Sequence, residues 1–570
     1  MSDSYLKRLI DSFEARTEKT AMRIVGDESN VYTFGETLRQ IRSIAHRLEQ
    51  QGVEFGDRVA LIGENHPCWA IAYLGIIYRG AVCVPLDPHG EIGALTNFIE
   101  NSEAKLAFIG PEFKDEFEQI AGRLEHPIAA VTWGELSDFA EWSSTKFPES
   151  FADEIPKAAG DDIALLIYTS GTTGTPKGVP LTHGNILAEL DGINEVLKLT
   201  DKEKILSLLP LFHAYLQIVN LWVATTYGCE VGYLKELSPA ELGNAMKKFK
   251  PTILTTVPRL WYLFHKKIFD AVAAKPKLGR ALVRAMLAAN GALRNTIGIN
   301  LGPKLFSEVH HSFGGKLRLA ISAGSRFDED VATDFHELGF TIIQGYGLTE
   351  TSPVIAVNRY DVTGRKFGTV GPLIDGVEVK IAEDGEILCK GPNVMMGYYK
   401  RPDLTAQEIT DGWYHTGDIG MFTENNFLKI TDRKKELFKT SGGKYVAPLA
   451  IENKLKESPF IEQVMLIGAD RKFVSALIVP SFPNLKEWCR KNNIAETSNA
   501  DLLKNKQVIE MFKELVESFN KFFNHVEQVK KFELLPYEWT VDTGEMTPKL
   551  SLKRKVVMEK YKEAVERIYG

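Results

Sequence analysis

From about residue 30 to about residue 350, short apolar runs alternate with longer segments of helical pattern. Each run is brief and rich in aliphatic residues, which is typical of a buried strand. The runs are RVALIG (58–63), AVCVPLD (81–87), KLAFIG (105–110), IALLIY (163–168), TILTTV (252–257) and LRLAIS (317–322). Because helical segments such as HPCWAIAYLGIIYRG lie between them, the pattern predicts an α/β fold of mainly parallel sheets covered by helices.

The pattern changes after about residue 377. The segments VEVKIAEDGEILCKG (377–391) and VMLIGADRKFVSALIVP (464–480) each predict two strands joined by a short polar turn. A later segment predicts a helix because its apolar residues recur at helical spacing: Phe512, Leu515, Val516, Phe519 and Phe523. The charged run TDRKKE (431–436) is the predicted boundary of a separate C-terminal lobe.

Composition narrows the class of protein. A chain of 570 residues is too long to fold around a single hydrophobic core, so several lobes are expected. The net charge of −7, from 68 basic and 75 acidic residues, disfavours nucleic-acid binding. The five cysteines form no CxxC pair, so neither a zinc site nor a disulfide framework is expected. The charged N-terminal segment and the lack of an apolar run of ~20 residues favour a cytoplasmic location.

The segment YTSGTTGTPKGV (168–179) contains five hydroxyl residues between Thr169 and Thr175, three glycines and Lys177. Glycines let backbone N–H groups approach a ligand, hydroxyls add donors and the lysine adds positive charge, so the segment predicts an anion site suited to a nucleotide triphosphate. A surface loop rich in turn-forming residues is the alternative. A P-loop is excluded because Pro176 replaces its second glycine and Gly178 its Ser/Thr, which disfavours a phosphotransferase.

This segment resembles the phosphate loop of the adenylate-forming (AMP-binding) superfamily, which includes acyl-CoA synthetases, luciferases and peptide-synthetase adenylation domains. Further motifs resemble those of the family, in family order: LPLFHAY (209–215), ISAGS (321–325), QGYGLTET (344–351), GWYHTGDIG (412–420) and DRKKELFKTSGGKYVAP (432–448). Within the superfamily, TTVPRLWYLFHKKIFDAV (255–272) and PFIEQVMLIGADRKFVSALIVPSF (459–482) resemble long-chain fatty acid–CoA ligases.

The resemblance implies a fold and a reaction. Residues 1–431 would form a large domain of helix-covered sheets plus a β-barrel-like subdomain, 432–436 a hinge, and 437–570 a smaller mobile α+β domain. A fatty carboxylate would attack the α-phosphate of ATP, and the thiol of CoA would then displace AMP, with Mg²⁺ bound. Alternatives are transfer to an acyl carrier protein, a reaction that stops at the acyl-adenylate, and a non-catalytic nucleotide- or acyl-binding protein.

The resemblance also implies the ATP site. Contacts to phosphate or base are expected from Thr169, Ser170, Gly171, Thr172, Thr173, Gly174, Lys177, Ser322, Ala323, Gly324, Gly345, Tyr346, Gly347 and Thr349. Asp418 and Arg433 would contact the ribose. Thr172 and Glu350 would hold Mg²⁺, which takes hard oxygen ligands. Taken alone, Glu350 is equally typical of a helix start, Asp418 of a turn and Arg433 of a solvated surface.

Four residues are placed near the reacting centre by the resemblance: Lys549, His213, Glu350 and Lys177. His213 would border the acyl channel, although a histidine among aromatic residues is usually a core residue. It needs no general-base role because a carboxylate is already ionised at pH 7. Lys435 would be the hinge residue, and Gly442 and Gly443 would face the CoA tunnel, unless those glycines form an ordinary turn.

One motif departs from the family. In MTPKLSLKRKVV (546–557), Ser551 stands where the family has its adenylating lysine, and Lys549 and Lys553 lie two residues to either side. Positions i and i+2 of an extended segment share a face, so either lysine can reach the same place, and Lys549 is the favoured one. A slow or altered first step is the alternative.

A basic stretch suggests a further partner. Between Ala271 and Ser307 there is no acidic residue, but there are six basic ones: Lys275, Lys277, Arg280, Arg284, Arg294 and Lys304. Interleaved apolar residues such as Leu278 and Leu282 make this stretch a candidate for peripheral contact with an anionic membrane, in which a fatty acid dissolves. A solvated basic face is the alternative.

Overall fold

The structure is a computed structural model that describes residues 4–134, 138–153, 158–169, 176–234, 236, 238–434, 436–442, 444–495, 497–540, 543–546 and 552–570. The chain divides into two compact units. The larger unit consists of Met1–Lys380, Leu388–Thr416 and Glu424–Leu428, and the smaller unit of Ile381–Ile387, Gly417–Thr423 and Lys429–Gly570.

The strands, in chain order, are β1 Thr20–Ile24, β2 Val31–Thr33, β3 Arg58–Ile62, β4 Val82–Leu86, β5 Leu106–Ile109, β6 Ala129–Thr132, β7 Ile163–Thr169, β8 Lys177–Thr182, β9 Lys204–Ser207, β10 Glu230–Tyr233, β11 Ile253–Thr256, β12 Leu319–Ser322, β13 Ile342–Gly347, β14 Val354–Val357, β15 Glu378–Ile381, β16 Glu386–Lys390, β17 Ile409–Thr410, β18 Trp413–Phe422, β19 Leu428–Arg433, β20 Phe438–Lys439, β21 Tyr445–Val446, β22 Ile461–Ile467, β23 Val474–Pro480 and β24 Val529–Leu534.

The α-helices are α1 Tyr5–Glu14, α2 Phe34–Gln50, α3 Pro67–Tyr78, α4 Ile92–Ser102, α5 Lys114–Ala121, α6 Asp138–Ser144, α7 Glu149–Asp153, α8 His183–Leu197, α9 Ala214–Gln217, α10 Ala224–Tyr227, α11 Pro239–Phe249, α12 Pro258–Ala273, α13 Lys277–Ile297, α14 Gly302–Leu305, α15 Ser307–Ser312, α16 Glu329–Leu338, α17 Pro402–Glu408, α18 Pro448–Leu455, α19 Phe482–Lys491, α20 Asn499–Leu502, α21 Lys506–Asn520, α22 Arg554–Lys560 and α23 Lys562–Tyr569. Short 3₁₀ helices span Pro111–Phe113 and Thr349–Thr351, and a π-helix spans Ile218–Val223.

The larger unit contains two sheets. One has the order β14-β13-β12-β11-β9-β10-β1-β2, parallel except for its antiparallel edge strands β14 and β2. The other has the order β6-β5-β3-β4-β7-β8, parallel except for the hairpin β7–β8. Helix α3 is buried along its whole length and packs against strands of both sheets. A helix that is apolar on every side requires such a position, which explains the composition of its segment.

The smaller unit has its own core. Strands β22 and β23 form the predicted antiparallel hairpin, and β24 adds to β23 in parallel. Helix α21 buries Val508, Phe512 and Val516. The helix ends at Asn520, and Phe523 packs on the core from beyond its end. The sequence prediction, which places Phe523 on the helix, is wrong at this residue.

Strands β15 to β19 form a five-stranded half-barrel sheet, and the division between the two units passes through this part of the chain. The predicted α/β class, with parallel sheets, a β-barrel-like part and a C-terminal α+β part, is therefore confirmed. Within the parts of the chain that the structure describes, no helix combines the length and apolar composition needed to span a membrane.

Helix α13 carries most of the basic stretch. Its first half is exposed, with Leu278 at 84% and Leu282 at 61% of their full accessibility. Arg294 is different because it is buried near the end of the helix, where its guanidinium donates to the carbonyl oxygens of His336 and Phe340. Burial, together with the charge of Arg365, lowers the pKa of Arg294 to about 10. Arg294 therefore binds the end of α16 and is not part of a surface charge cluster.

Candidate functional site

The hydroxyl- and glycine-rich segment joins the two strands of the β7–β8 hairpin. Thr169, the last residue of β7, pairs with Lys177, the first residue of β8. The ring of Tyr168 stacks on Phe98 with 4.6 Å between ring centroids, and its hydroxyl donates to Asn101 Oδ1 at 2.7 Å. Helix α4 therefore anchors the strand end that precedes the loop.

Lys177 lies close to two side chains from distant parts of the sequence. Its Nζ lies 5.6 Å from the ring centroid of Tyr398, an arrangement that attracts the cation to the ring face. The Tyr398 hydroxyl donates to Glu350 Oε1 at 3.0 Å. Burial raises the pKa of the Glu350 carboxyl, whereas the Tyr398 hydrogen bond and the Lys177 charge act to lower it. A cation, a phenol and a carboxylate thus meet beside the hairpin.

Glu350 sits on a tight 3₁₀ turn directly after β13. The Leu348 N–H donates to Thr351 Oγ1 at 3.0 Å, and the turn leads into Ser352, whose φ is +66°. A Cβ atom on Gly347 would lie 1.5 Å from the carbonyl oxygen of Pro353, so a side chain at this position would force the backbone apart. The glycine is thus required by close backbone approach.

Helix α8 and a neighbouring asparagine support this turn from behind. Asn393 donates to the carbonyl oxygens of Thr351 at 3.1 Å and Val354 at 2.9 Å. Glu189, fully buried on α8, accepts the Val354 N–H at 3.1 Å. Burial raises the pKa of the Glu189 carboxyl well above its usual value. Glu189 therefore keeps its proton to higher pH than an exposed glutamate does, and its contact with Val354 fixes the backbone after Glu350.

A second group of predicted residues lies at the carboxyl ends of β11, β12 and β13, the edge at which parallel sheets usually bind ligands. Ser322 is the buried last residue of β12, and Ala323 and Gly324 follow it. The Tyr215 hydroxyl lies 3.0 Å from the Thr256 carbonyl oxygen and 3.2 Å from that of Ile321, so the LPLFHAY segment crosses this edge.

The remaining predicted residues of the larger unit lie near this edge. Gly345, Tyr346 and Gly347 end β13, beside β12, and Thr349 begins the turn that carries Glu350. His213 is half-buried directly before α9, with its ring centroid 4.1 Å from that of Phe212.

In the smaller unit, the two predicted ribose contacts touch each other. Arg433 Nε lies 3.0 Å from Asp418 Oδ1, with the Asp418 side chain buried and that of Arg433 57% exposed. The Gly417 carbonyl oxygen accepts the Lys434 N–H at 2.7 Å, which ties the two segments together. Glu386 accepts the Gly417 N–H at 3.0 Å and the Lys434 Nζ at 2.7 Å. The Asp418–Arg433 pair is thus held by backbone and side-chain contacts.

In the smaller unit, hydrogen bonds hold the described residues at both sides of the basic motif MTPKLSLKRKVV. Met546 and Leu552 pair as an antiparallel bridge, and the Lys553 N–H donates to the Glu545 carbonyl oxygen at 2.7 Å. Arg554 makes two hydrogen bonds of 2.7 Å to the Glu452 carboxylate. Lys549 and Ser551 lie outside the described residues, and the Lys553 side chain is exposed.

Residues 11–399 match the family described as AMP-binding enzyme, and residues 436–570 match its C-terminal domain family. The chain belongs to the AMP-binding enzyme family. The resemblance to adenylate-forming enzymes that the motifs predict is thereby confirmed.

Individual relatives of this AMP-binding enzyme cover nearly the whole chain. A protein named long-chain-fatty-acid–CoA ligase FadD15 from Mycobacterium bovis is 32% identical over 94% of this chain and 92% of its own length. Long chain acyl-CoA synthetase 2 from Arabidopsis thaliana is 27% identical over 94% of this chain and 87% of its own. A crystal structure of ATP-bound MatB from Rhodopseudomonas palustris has the same fold, with a TM-score of 0.76 at 23% identity over 99% of this chain and 100% of its own.

Several residues predicted to bind ligands in this AMP-binding enzyme are not described by the structure. They are Ser170, Gly171, Thr172, Thr173, Gly174, Lys435, Gly443 and Lys549. Gly442 is described and exposed, and a Cβ on it would meet only Thr440 Oγ1, at 3.9 Å. The roles of all these residues remain predictions.

The sequence motifs do not identify Tyr398, Asn393 or Glu189. Tyr398 lies in the segment MMGYYK, where two adjacent tyrosines give no sign of which one faces Glu350. Glu189 lies in the mainly apolar helical stretch NILAELDGI, which also contains the exposed Asp191, so the sequence does not show which of the two acidic residues is buried.

Proposed function

We propose that this protein activates a long-chain fatty acid with ATP and transfers the acyl group to CoA, releasing AMP and diphosphate. The observation that carries the proposal is the meeting of Lys177 and Glu350 at Tyr398, beside the hairpin whose loop has the family's phosphate-binding sequence. The similarity to ligases named for long-chain fatty acids supports the choice of substrate. Burying each CH₂ of such a chain contributes about 0.8 kcal/mol of binding free energy.

Each predicted residue has a physical role in this proposal. Lys177 binds phosphate oxygens at the base of the loop, with the hydroxyls of Thr169 to Thr173 as further donors. Asp418 accepts hydrogen bonds from the ribose hydroxyls beside Arg433. Lys549 orients the attacking carboxylate, and His213 borders the acyl channel. Positioning and charge stabilisation supply most of the rate enhancement in phosphate chemistry of this kind.

Glu350 fits the hard oxygen donors that Mg²⁺ takes, and Thr172 is its proposed partner. When bound, Mg²⁺ would neutralise charge on the departing diphosphate. The Glu350 carboxylate is held by Tyr398 and by the turn that Asn393 supports, so its position is set before the metal arrives.

The second half-reaction concerns the C-terminal part of the chain. Lys435 is the proposed hinge, within the segment 432–436 that the sequence predicts to separate residues 1–431 from residues 437–570. Gly442 and Gly443 are proposed to face the pantetheine arm of CoA. Exposure of Gly442 is compatible with that role.

An anionic membrane surface is the proposed partner of α13. The exposed half of the helix carries Lys277, Arg280 and Arg284 beside Leu278 and Leu282. Leu263 of α12, Ile297 at the far end of α13 and Ile299 beyond it are also exposed, at 51%, 61% and 47%. Basic charge combined with exposed aliphatic side chains is complementary to anionic lipid headgroups over acyl chains.

The proposed reaction predicts a specific set of products. Incubation with ATP, Mg²⁺, a panel of fatty acids and CoA should yield AMP and a thioester in equal amounts, measured by chromatography. If thioester forms only when acyl carrier protein replaces CoA, then the carrier protein and not CoA is the acyl acceptor. Acyl-adenylate without thioester would limit the reaction to its first step. ADP would indicate a phosphotransferase, and intact ATP with every acid would refute the proposed catalysis.

A further inference from the structure

The segment Met395–Tyr399 connects the Glu350 turn to the β7–β8 hairpin. At one end, the Met395 N–H donates to the Glu350 carbonyl oxygen at 2.9 Å. At the other end, the Tyr399 N–H donates to the Gly178 carbonyl oxygen at 2.8 Å. Tyr398 lies between these two backbone contacts, with its ring near Lys177 and its hydroxyl on Glu350.

Tyr398 itself is firmly fixed. It is only 7% exposed, and its N–H donates to Thr405 Oγ1 at 2.9 Å. The preceding Gly397 has a φ of +140°, and a Cβ there would lie 2.6 Å from Thr405 Cγ2. Tyr414 is a further hydrogen-bond partner of the Tyr398 hydroxyl. A side chain held on every side has little rotamer freedom to lose when it orients another group.

A phenol has one proton to donate, and Tyr398 directs it to Glu350 Oε1. That bond fixes the rotation of the carboxylate, so that Oε2 keeps a defined direction. The aromatic face meanwhile attracts the Lys177 ammonium, which otherwise lies on a flexible four-carbon chain. One side chain therefore orients both an anion and a cation.

We propose that Tyr398 is a positioning residue that couples the magnesium-binding carboxylate of Glu350 to the phosphate-binding ammonium of Lys177. The inference rests on the proposed function, because both partners are assigned there. Tyr398 touches neither ATP nor metal in this scheme and acts only through the two groups that it orients.

Removing only the hydroxyl tests the link to Glu350. Tyr398→Phe keeps the ring and its contact with Lys177, so we expect ATP binding in EDTA, measured by calorimetry, to match wild type. With Mg²⁺ present, we expect ATP affinity to fall at least fivefold. The Mg²⁺ concentration for half-maximal fatty-acid-dependent ATP–diphosphate exchange should rise by a similar factor. Tyr399→Phe is the matched control, because it keeps the backbone contact to Gly178.

Removing the ring tests the link to Lys177. Tyr398→Leu should weaken ATP binding even in EDTA, which Tyr398→Phe should not. Wild-type protein that catalyses no exchange would refute the proposed function rather than this inference. If wild type is active and Tyr398→Phe requires the same Mg²⁺ concentration as wild type, the inference is refuted. Equal loss of ATP affinity with and without Mg²⁺ in Tyr398→Phe would also refute it, because the hydroxyl would then serve the fold and not the metal.

Discussion

At the position of the family's adenylating lysine this chain has Ser551, with Lys549 and Lys553 to either side. The structure describes Lys553 but not Lys549. Lys553 lies directly beyond the Met546–Leu552 bridge, with its N–H on the Glu545 carbonyl oxygen and its side chain exposed. Next to it, Arg554 is anchored on Glu452. Lys553 thus belongs to the anchored base of the motif, and Lys549 stays the predicted adenylating residue.

Single substitutions of the two lysines should therefore differ in effect. We expect Lys549→Ala to reduce fatty-acid-dependent ATP–diphosphate exchange by at least a hundredfold, because one oriented ammonium contributes several kcal/mol to a developing phosphoryl transition state. Thioester formation from supplied acyl-adenylate and CoA should persist. Lys553→Ala, the matched control, should stay near wild type, and the reverse pattern would assign the role to Lys553.

At the scale of the element, helix α8 determines where Glu350 sits. The helix begins with a reciprocal cap in which the Asn185 N–H donates to Thr182 Oγ1 and the Thr182 N–H donates to Asn185 Oδ1. Asn185 also donates to the Pro392 carbonyl oxygen at 2.7 Å, next to Asn393. About one helical turn after Asn185, Glu189 binds the Val354 N–H. Helix α8 thus contacts both segments that support the turn carrying Glu350.

The buried Glu189 makes stability depend on pH. Its pKa is raised in the folded state, whereas the unfolded value is about 4.3. As pH rises above about 4.3, the unfolded chain loses this proton before the folded chain does, so the free energy of unfolding falls with rising pH. Glu189→Gln has no proton to lose and keeps an oxygen acceptor for Val354.

The melting temperature of Glu189→Gln relative to wild type should therefore be higher at the upper end of a pH series from 5 to 8.5 than at its lower end, as measured by differential scanning fluorimetry. Asp191→Asn makes the same kind of change on an exposed residue of α8, so its difference from wild type should stay constant over this range. A difference for Glu189→Gln that is flat or declines with pH would show that the carboxyl ionises normally in the folded protein.

At the scale of the whole molecule, the surface charge is uneven. The chain is acidic overall, yet α13 presents a basic and apolar face on the part of the helix that is exposed. Each lysine or arginine near an anionic bilayer contributes about 1 kcal/mol of binding free energy. Lys277, Arg280 and Arg284 would therefore contribute about 3 kcal/mol to the proposed docking, with Leu278 and Leu282 as apolar contacts.

Vesicle sedimentation tests this surface. Wild type should pellet with phosphatidylglycerol vesicles and not with phosphatidylcholine vesicles, and added salt should weaken binding. Reversing Lys277, Arg280 and Arg284 to glutamate should weaken binding at least tenfold without changing the reaction of a water-soluble medium-chain acid. The control reverses three exposed lysines elsewhere, Lys114, Lys202 and Lys247. If the control variant loses as much vesicle binding, then binding depends on net charge and not on α13. If the wild type does not bind vesicles, the proposed membrane contact is refuted.

The sequence by itself determined the alternation of strands and helices and the hairpin of β22 and β23, and it predicts the chemistry of the loop between β7 and β8. Strand and helix periods repeat over a few residues, and the loop's donors are adjacent in the chain, so both are visible locally. The motifs also identified the family, because several of them occur in the same order. The end of α21 was less visible, since tertiary packing lets Phe523 reach the core from outside the helix.

Only the tertiary structure decided which side chains meet. Tyr398 contacts Lys177 and Glu350, and Glu189 binds the backbone that follows the Glu350 turn. Arg294 is buried at the end of α16 and does not join the exposed basic residues of α13. No local period or motif encodes these contacts, because they join segments brought together by packing. Whether a charged or polar residue is solvated or buried depends on those neighbours, and burial is what sets the pKa of Glu189 and Glu350.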